Sequence, residues 1–418
     1  MAYDIAIIGG GASGMVAALR AKALLQGGNI CILERQPRLG KKLLATGNGR
    51  CNITNMLSDR TYYHGDPDFV VPALEKYPPS AVRDFFSSIG VETFEEDGGR
   101  VYPMGEQASS VLDALRLSLA EQDIEVQTEC EVSRIAAQKG GFSLRCEKGD
   151  AVFARRVIVS AGGPASQNLG GTNLGTKLLA PLGHASLPCL PALVQLKTET
   201  EPIRALKGIK YTGEISILVD GQVRRTETGE VLFTEYGVSG PPVLQLSRTA
   251  SVAIAEGRRV FVRMKVLAMT EDATYALLAS RREAIPARSL EHFFAGLTNK
   301  RIGQTILKLA GAVPFSRPAQ SLSEEELRRI SRLLTGWELE VLGTQPLSQA
   351  QVTVGGLDTH LFSAHTMESK IVKGLYATGE LLNIDGDCGG FNLQWAWASG
   401  LCAGENAARS LHEGKEPL

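Results

Sequence analysis

The chain has 418 residues and carries 44 Lys and Arg residues against 45 Asp and Glu residues. This balance argues against a general binder of nucleic acid or of anionic membranes, because either would need an excess of positive charge. Glycine is in excess, with 45 residues, which is about 11% of the chain against a usual share of roughly 7%. No collagen-like triplet accounts for the surplus, so we expect the glycines where the backbone approaches a ligand.

The seven cysteines are widely spaced with no CxxC pair, and the six histidines show no HxH or HExxH spacing. These patterns argue against a disulfide framework and against a metal site. No apolar run reaches the roughly 18 residues that a membrane span needs, and no basic segment precedes the first predicted strand as it would in a signal peptide. We therefore expect a cytoplasmic protein that binds neither a metal nor a membrane.

The first 34 residues have the pattern of a strand–helix–strand unit. Residues 4–8 are apolar and β-branched, as in a strand buried on both faces. Residues 13–25 follow as a helix rich in alanine and leucine, and residues 29–34 return to a strand pattern. Such a unit opens a doubly wound α/β sheet. Further strands are predicted at 124–126, 142–145 and 156–160, with a helix at 109–121.

The later sequence predicts an insertion. Residues 191–269 alternate apolar and polar positions between Asp-Gly and Thr-Gly turn signals, which indicates antiparallel β structure. Residues 270–348 contain few glycines and many Leu, Arg and Glu residues, which is typical of helices. The sequence after residue 348 is again rich in glycine, and it leads into a last predicted helix at 395–411. We predict one nucleotide-binding domain from residues 1–190 and 349–418, interrupted by a β domain and a helical subdomain.

A GxGxxG motif lies between the first predicted strand and the first helix. Gly9 permits the tight turn, Gly11 lets the backbone approach a pyrophosphate, and Gly14 allows close packing of helix and strand. Glu34 ends the second strand, where a carboxylate would bind the hydroxyls of an adenosine ribose that lacks a 2′-phosphate. The alternative, a tight structural turn, does not explain this acid. The predicted contacts are Gly9, Gly11, Ala12, Ser13, Gly14, Glu34 and Arg35.

The segment KKLLATGNGRCNITN at residues 41–55 gathers glycines, amides and three cations around one turn. A loop that wraps a polar, anionic cofactor would have this composition, whereas the alternative is a surface loop with a basic patch. The predicted cofactor contacts in this segment are Lys41, Lys42, Thr46, Gly47, Asn48, Gly49, Arg50, Cys51 and Asn52.

With the preceding glycine, this segment resembles the signature of a family of bacterial FAD-dependent flavoproteins that includes aminoacetone-oxidase-like and bile-acid-pathway flavoprotein-like members. Segments at 99–115, 157–165 and 229–247 and the glycine-rich block at 352–404 also match, so the resemblance spans nearly the whole chain. It implies a Rossmann-like FAD-binding domain of the glutathione-reductase type, with the inserted antiparallel β domain and helical subdomain described above.

The resemblance also places cofactor contacts in the later segments. Glu380 or Asp385 is implied near the ribityl chain or the phosphates, and residues 390–393 near the isoalloxazine. The N–H groups of the following helix would there stabilise the negative charge of reduced flavin. A glycine-rich turn that caps a helix is the structural alternative. The predicted contacts are Val132, Ala161, Gly162, Gly163, Gly379, Glu380, Asp385, Gly389, Gly390, Phe391, Asn392 and Leu393.

The sequence singles out no catalytic residue, and Arg50 and Tyr236 are the candidates. Arg50 could offset flavin or substrate charge, and Tyr236 could line the substrate cavity or shape a turn of the β domain. Cys51 and Cys388 lie in cofactor segments but have no partner four or five residues away, so we expect them to pack. No second strand-linked GxGxxG occurs, so NAD(P)H is expected only as a transient reductant.

We expect an FAD-dependent oxidoreductase that transfers a hydride between flavin N5 and a small organic substrate. The resemblance leaves two directions open, oxidation of an amine or aminoketone and reduction of an activated double bond in a steroid-like acid. One alternative is a flavoprotein of the tRNA-modifying type. The ten basic and nine acidic residues of segment 271–340 argue against it, although 300–317 is locally basic. The other alternative is a flavin-binding sensor without turnover.

Overall fold

The computed structural model describes residues 2–412. The strands are, in chain order, β1 Ala2–Ile8, β2 Ile30–Leu33, β3 Thr54–Asn55, β4 Tyr63–Gly65, β5 Thr93–Glu96, β6 Arg100–Pro103, β7 Glu125–Gln127, β8 Val132–Gln138, β9 Gly141–Cys146, β10 Val152–Val159, β11 Ser186–Ala192, β12 Leu196–Thr198, β13 Lys210–Val219, β14 Gln222–Phe233, β15 Gly237–Ser239, β16 Val260–Lys265, β17 Trp337–Thr344, β18 Val352–Leu357, β19 Leu375–Ala377 and β20 Ile384–Gly386. The α-helices are α1 Ala12–Leu24, α2 Val71–Lys76, α3 Pro79–Ser88, α4 Ala108–Glu121, α5 Leu174–Leu179, α6 Pro241–Ala255, α7 Glu271–Ala284, α8 Lys300–Leu309, α9 Glu324–Gly336 and α10 Phe391–His412.

The chain forms two compact units. The discontinuous unit consists of Met1–Leu190 and Leu347–Leu418, and the inserted unit consists of Pro191–Pro346. The opening strand, helix and strand of the discontinuous unit are confirmed to within two residues at each end, as is α4.

The discontinuous unit is built on a seven-stranded sheet with the order β7-β2-β1-β10-β9-β8, and β19 also pairs with β10. Strands β7, β2, β1, β10 and β19 run parallel, whereas β9 and β8 form an antiparallel edge. Ile5, Ile7 and Ile8 of β1 are all buried, because helices cover both faces of a doubly wound sheet. The predicted Rossmann-type α/β fold is therefore confirmed.

The parallel register brings the ends of three strands to one edge of this sheet. Ile8 of β1 lies opposite Val159 of β10, and Val159 lies opposite Ala377 of β19. The segments that leave these strands therefore start side by side, although they come from distant parts of the chain. This edge, at the carboxyl ends of the strands, is where α/β folds bind ligands.

Close packing of two helices joins the beginning and the end of the chain. At Gly400 of α10 a Cβ atom would lie 2.3 Å from the backbone oxygen of Ser13, and at Gly404 it would lie 2.2 Å from that of Ala17. Only glycine allows α10 to pack this closely on α1.

The inserted unit is a closed six-stranded barrel with the order β12-β15-β14-β13-β16-β17, and its neighbouring strands are antiparallel. Aromatic rings fill part of its core, where the Phe233 ring lies 5.8 Å from that of Tyr211 and 5.9 Å from that of Trp337. Helices α6 to α9 belong to the same unit. A Ser323–Glu326 capping box starts α9, because each side chain bonds the backbone N–H of the other residue.

The structure corrects the end of the predicted helical segment. Residues 337–344 were expected to be part of the helical subdomain at 270–348, but they form β17, the strand that closes the barrel. Buried and more exposed side chains alternate along β17 from Trp337 to Leu342, a period of two that indicates a strand. In the sequence, this short strand pattern was not recognised because it directly follows a long helical pattern that ends at Gly336.

Candidate functional site

The GxGxxG turn leaves open space at only one of its three motif glycines. A Cβ atom at Gly9 would lie 2.5 Å from the Ser160 backbone oxygen, and one at Gly14 would lie 2.0 Å from the Gly9 oxygen, so both glycines are needed for packing. A Cβ atom at Gly11 would meet nothing within 4 Å. Gly11 is the N-cap of α1, and no side chain caps this helix. The first N–H groups of α1 therefore lie beside open space, which suits a phosphate.

Glu34 lies beside this turn and is nearly buried. One of its carboxylate oxygens accepts a hydrogen bond of 2.7 Å from the Gly10 N–H, and the other accepts one of 2.7 Å from the Gln36 N–H. These bonds hold the carboxylate next to α1, where it is predicted to bind a ribose. The neighbouring Arg35 donates to the Gly170 carbonyl. The Val132 side chain is buried in the core, so only its backbone remains to contact a ligand.

Lys42 and Glu380 meet across 338 residues of sequence. The Lys42 Nζ lies 2.6 Å from one Glu380 oxygen, and the Thr353 N–H donates to the other at 2.7 Å. Glu380 also lines a small cavity, together with Gly162, Gly163, Pro164, Thr172, Asn173, Thr176, Cys189, Thr353, Gly356 and Leu381. The structure thus brings three predicted contacts, Gly162, Gly163 and Glu380, to one cavity of the discontinuous unit.

The loop from Thr46 to Asn52 contains several residues in the left-handed conformation. Gly47, Asn48, Gly49 and Cys51 have φ values between 56° and 87°. Asn52 follows, and its Oδ1 atom is buried without a hydrogen-bond partner. A buried acceptor without a donor is costly, so this amide oxygen indicates a ligand that supplies an N–H or O–H group.

The start of α10 lies next to this amide. A Cβ atom at Gly390 would be 2.9 Å from Asn52 Oδ1 and 2.5 Å from the Thr54 oxygen, so the loop and the helix terminus pack tightly together. Trp397 of α10 donates to the Ile53 oxygen, and Trp395 donates to the Gly379 oxygen. These two bonds anchor both predicted cofactor segments to one helix.

Some predicted contacts near α10 use their side chains within the protein. Asn392 bonds the N–H and the oxygen of Gly386, and the Phe391 ring stacks on Tyr62 at 4.2 Å. Gly389 accepts a bond from Asn55, and Asp385 is buried in β20. A ligand at this end would therefore meet the N–H groups of the first helical turn, which an α-helix leaves without internal partners.

Arg50 carries little uncompensated charge. Its guanidinium pairs with the carboxylates of Glu96 and Glu106 and lies over the Tyr102 ring at 4.0 Å. The hydrogen bond that Arg50 donates to the Glu96 carboxylate raises the pKa of Arg50. The second candidate, Tyr236, is half-buried on the turn between β14 and β15 of the inserted unit, where its carbonyl accepts a bond from Thr198.

The two thiols in the cofactor segments are protonated at neutral pH. Burial raises the pKa of Cys51 to about 12, and burial also raises that of Cys388. A thiol in that state is a poor nucleophile, which favours packing over redox chemistry at both positions.

Several neighbours of the site were not predicted. Thr353 bonds Glu380, Tyr102 lies under Arg50, and His64 bonds Asp387 at 2.9 Å just before α10. Thr353 and Tyr102 lie inside segments that carried the family resemblance, which is the signal that could have found them. His64 has no such signal, because only the antiparallel pairing of β4 with β20 brings it to this position.

The comparisons with known proteins agree with this geometry. The model of the HI0933-like protein Rossmann domain family matches residues 3–406. The chain belongs to this family. It is 37% identical over 406 residues to a 3-dehydro-bile acid Δ(4,6)-reductase of Clostridium scindens, and this match covers 97% of this chain and 98% of the relative. It is also 30% identical over 415 residues to a ribosomal RNA dihydrouridine synthase of Escherichia coli, and that match covers 98% of this chain and 99% of the relative.

A similar solved structure is the 3-ketosteroid Δ1-dehydrogenase of Sterolibacterium denitrificans, with a TM-score of 0.53 and 13% identity over 98% of this chain and 100% of that chain. At this identity it shows the shared fold alone. The family and the reductase relative that is 37% identical identify this chain as an FAD-dependent oxidoreductase. Between residues 2 and 412, no α-helix has the length and apolarity of a membrane span. Over the same residues, no cluster of three or more His, Cys, Asp or Glu side chains could hold a metal ion.

The residues present fit FAD. The discontinuous unit offers open space at a helix N-terminus, a held carboxylate, a cavity beside Lys42 and an unpartnered buried amide oxygen. The first two suit the pyrophosphate and the adenosine ribose. The amide oxygen of Asn52 suits the N–H group on the pyrimidine edge of the flavin. Direct contact of each predicted residue with FAD stays a prediction.

Proposed function

We propose that this protein is an FAD-dependent reductase that saturates a carbon–carbon double bond conjugated with a carbonyl group. The observation that carries the proposal is the chemistry shared by two full-length relatives. A 3-dehydro-bile acid with Δ4,6 double bonds has these bonds conjugated with its ketone. Formation of dihydrouridine likewise saturates a ring double bond conjugated with a carbonyl. Both reactions add a hydride and a proton across the double bond, so this direction is favoured over amine oxidation.

For the substrate we propose a small steroid-like acid. The relative that supports it is 37% identical over nearly the whole chain. The charge of the inserted unit agrees, because Lys300 pairs with Glu291 and Arg317 pairs with Glu326. These ion pairs reduce the net positive charge of residues 300–317. A protein that holds RNA phosphates would need that positive charge to be free. A uridine in ribosomal RNA is the second candidate, supported by the relative that is 30% identical.

The residues of the discontinuous unit have separable tasks in this proposal. The N-terminus of α1 beside Gly11 binds the pyrophosphate, and Glu34 binds the adenosine ribose. Lys42 has N–H donors left beyond its bond to Glu380 and donates one to a phosphate, and Glu380 holds the ribityl chain. Asn52 and the start of α10 bind the pyrimidine edge, where the positive end of the helix dipole stabilises negative charge.

When bound, FAD supplies the hydride through its N5 atom. We further propose that a reduced nicotinamide supplies the electrons by transient binding, because the sequence contains no second strand-linked GxGxxG motif. Because Glu96 and Glu106 already balance the charge of Arg50, it would add little net attraction for an anionic substrate. Its role would be to orient the substrate by hydrogen bonds.

The experiment is anaerobic stopped-flow spectroscopy of the purified full-length protein. The bound flavin is first reduced with NADH or NADPH and then mixed with a 3-oxo-Δ4,6 steroid acid, and its visible absorption is followed. We expect fast reoxidation, with the saturated steroid acid as the unreactive control. In a parallel mixture, ribosomal RNA that lacks dihydrouridine replaces the steroid.

Reoxidation of the flavin by the RNA and not by the steroid would show that the substrate is a uridine. The proposed class of reaction, reduction of a conjugated double bond, would then still hold. Reduction of the oxidised enzyme by an aminoketone, with no reaction of either unsaturated substrate, would overturn the proposed direction. A flavin that no donor reduces would instead support the sensor alternative.

A further inference from the structure

Two cysteine side chains approach each other at the antiparallel edge of the main sheet. The Sγ atoms of Cys130 and Cys146 lie 2.8 Å apart. This separation is well below van der Waals contact and is about 0.8 Å longer than a disulfide bond. Both residues are free thiols in the structure. Their spacing of 16 residues matches no CxxC pattern, so the sequence gives no sign of the pair.

The backbone holds the pair from both sides. Cys146 ends β9 directly opposite Val132, the first residue of β8. The N–H of Glu147, one residue beyond Cys146, donates to the carbonyl of Glu131, one residue beyond Cys130, at 2.8 Å. The two cysteines are thus adjacent to a formed pair of the β ladder, which holds their sulfur atoms close together.

The two thiols differ in accessibility. Cys130 is half-buried, whereas Cys146 is buried. An oxidant therefore reaches Cys130 first, and Cys146 is placed to attack the product. Cys130 and Cys146 are close enough to Cys31 of β2 to contribute to its raised pKa, but Cys31 is completely buried and inaccessible to an oxidant.

We propose that Cys130 and Cys146 form a reversible dithiol–disulfide site, with small disulfides such as oxidised glutathione as the oxidant. The Cys130 thiolate attacks one sulfur of the oxidant, which releases one reduced thiol and leaves a mixed disulfide. Cys146 then loses its proton and attacks the Cys130 sulfur, which releases the second thiol. Two protein thiols are oxidised by two electrons, and one small disulfide is reduced to two thiols.

The site is connected to the candidate ribose carboxylate by backbone hydrogen bonds. The Cys130 N–H donates to the Glu34 carbonyl at 2.9 Å, and the Glu34 N–H donates to the Gln127 carbonyl at 2.9 Å. A disulfide would fix the strand end that holds Glu34, so the oxidised protein should release FAD several-fold more slowly. This consequence, unlike the disulfide itself, rests on the proposed role of Glu34.

The test uses the full-length holoprotein equilibrated with oxidised glutathione or with reduced glutathione. The protein is then denatured, its free thiols are alkylated, and the unreduced protein is digested with trypsin, which places Cys130 in peptide 117–134 and Cys146 in peptide 146–148. We expect these two peptides to be joined only in the oxidised sample, with the other five cysteines alkylated in both samples. Cys130→Ser should abolish the joined peptide, whereas the matched control Cys189→Ser should retain it.

Full alkylation of both cysteines in oxidised glutathione would overturn the proposal, as would a crosslink at other cysteines. The rate of FAD release is measured on the same two samples. A joined peptide with equal release rates would refute the connection to Glu34 while it supports the disulfide. A protein that shows the joined peptide but binds no FAD would refute the proposed function and not the redox site.

Discussion

Replacement of Gly11 with valine should weaken FAD binding at the glycine motif while the protein still folds. The backbone at Gly11 has φ −80° and ψ −170°, an extended conformation that valine adopts readily. The new Cβ atom would have no neighbour within 4 Å. No side chain caps α1 in the present structure, so no cap is lost. We therefore expect the apoprotein to lose no more than about 1 kcal/mol of stability.

The cost to FAD binding should be much larger. The valine side chain would occupy the open space beside the first N–H groups of α1, which would otherwise donate to the pyrophosphate. A hydrogen bond to a charged group contributes about 1.5–3 kcal/mol. Loss of one or two such bonds, about 3 kcal/mol in total, corresponds to a Kd for FAD roughly 100-fold higher or more.

The assay compares FAD titrations with thermal unfolding of the apoprotein for three variants. Gly105→Ala is the matched control, because its Cβ atom would lie 3.9 Å from the nearest side-chain atom, and it should change neither quantity. Gly14→Ala should lower the stability of the apoprotein itself, since its Cβ atom would lie 2.0 Å from the Gly9 oxygen. A folded Gly11→Val protein that binds FAD as tightly as the Gly105→Ala protein would refute the placement of the pyrophosphate at α1.

Three further predictions concern other parts of the chain. Burial alone would raise the pKa of Glu405 above 4.5, but hydrogen bonds from Tyr77 and from nearby cations lower it to about 2. The carboxylate therefore stabilises the fold above about pH 4.5 and loses this effect as the pH falls towards 2. Because these cations are partly exposed, we expect Glu405→Gln to lower stability at pH 7 by only about 2 kcal/mol and to flatten its acid dependence, and equal pH profiles of chemical unfolding would contradict this. Asn52→Leu should leave the apoprotein as stable or more stable, because it removes an unpartnered buried oxygen, yet raise the Kd for FAD about tenfold; a destabilised variant with unchanged affinity would show that the oxygen has an internal role. Ser323→Ala should remove the capping box of α9 and about 1 kcal/mol of stability, and an unchanged free energy of unfolding in this variant would contradict a stabilising role for the cap.

Local patterns in the sequence predicted the opening of the discontinuous unit well. A strand buried on both faces, an alanine-rich helix and a second strand each have a distinct period over few residues, and the structure places them within two residues of the prediction. The strand β17 was missed because its period of two directly follows a long helical pattern. Local periodicity therefore predicts elements best when turns separate them clearly.

Contacts between distant residues could not be predicted in the same way. The ion pair of Lys42 with Glu380 and the contact of Cys130 with Cys146 depend on strand order and register, which no local pattern encodes. The unpartnered oxygen of Asn52 is also a property of packing, since it is defined by the absence of a donor around it. The glycine count pointed to the right segments, but only the structure separates Gly11, which faces open space, from the glycines that permit packing.

The way the chain closes its main sheet has a consequence for synthesis on the ribosome. Strand β19 joins β10 only after the whole inserted unit has been made, and α10 reaches α1 later still. The glycine turn after β1 is made before Glu380 and the start of α10, so it lacks both until those residues have been translated. A nascent chain thus exposes an incomplete sheet edge during this interval, which makes it a candidate client for chaperones. Any chain that stops before α10 should be colourless as well as poorly folded.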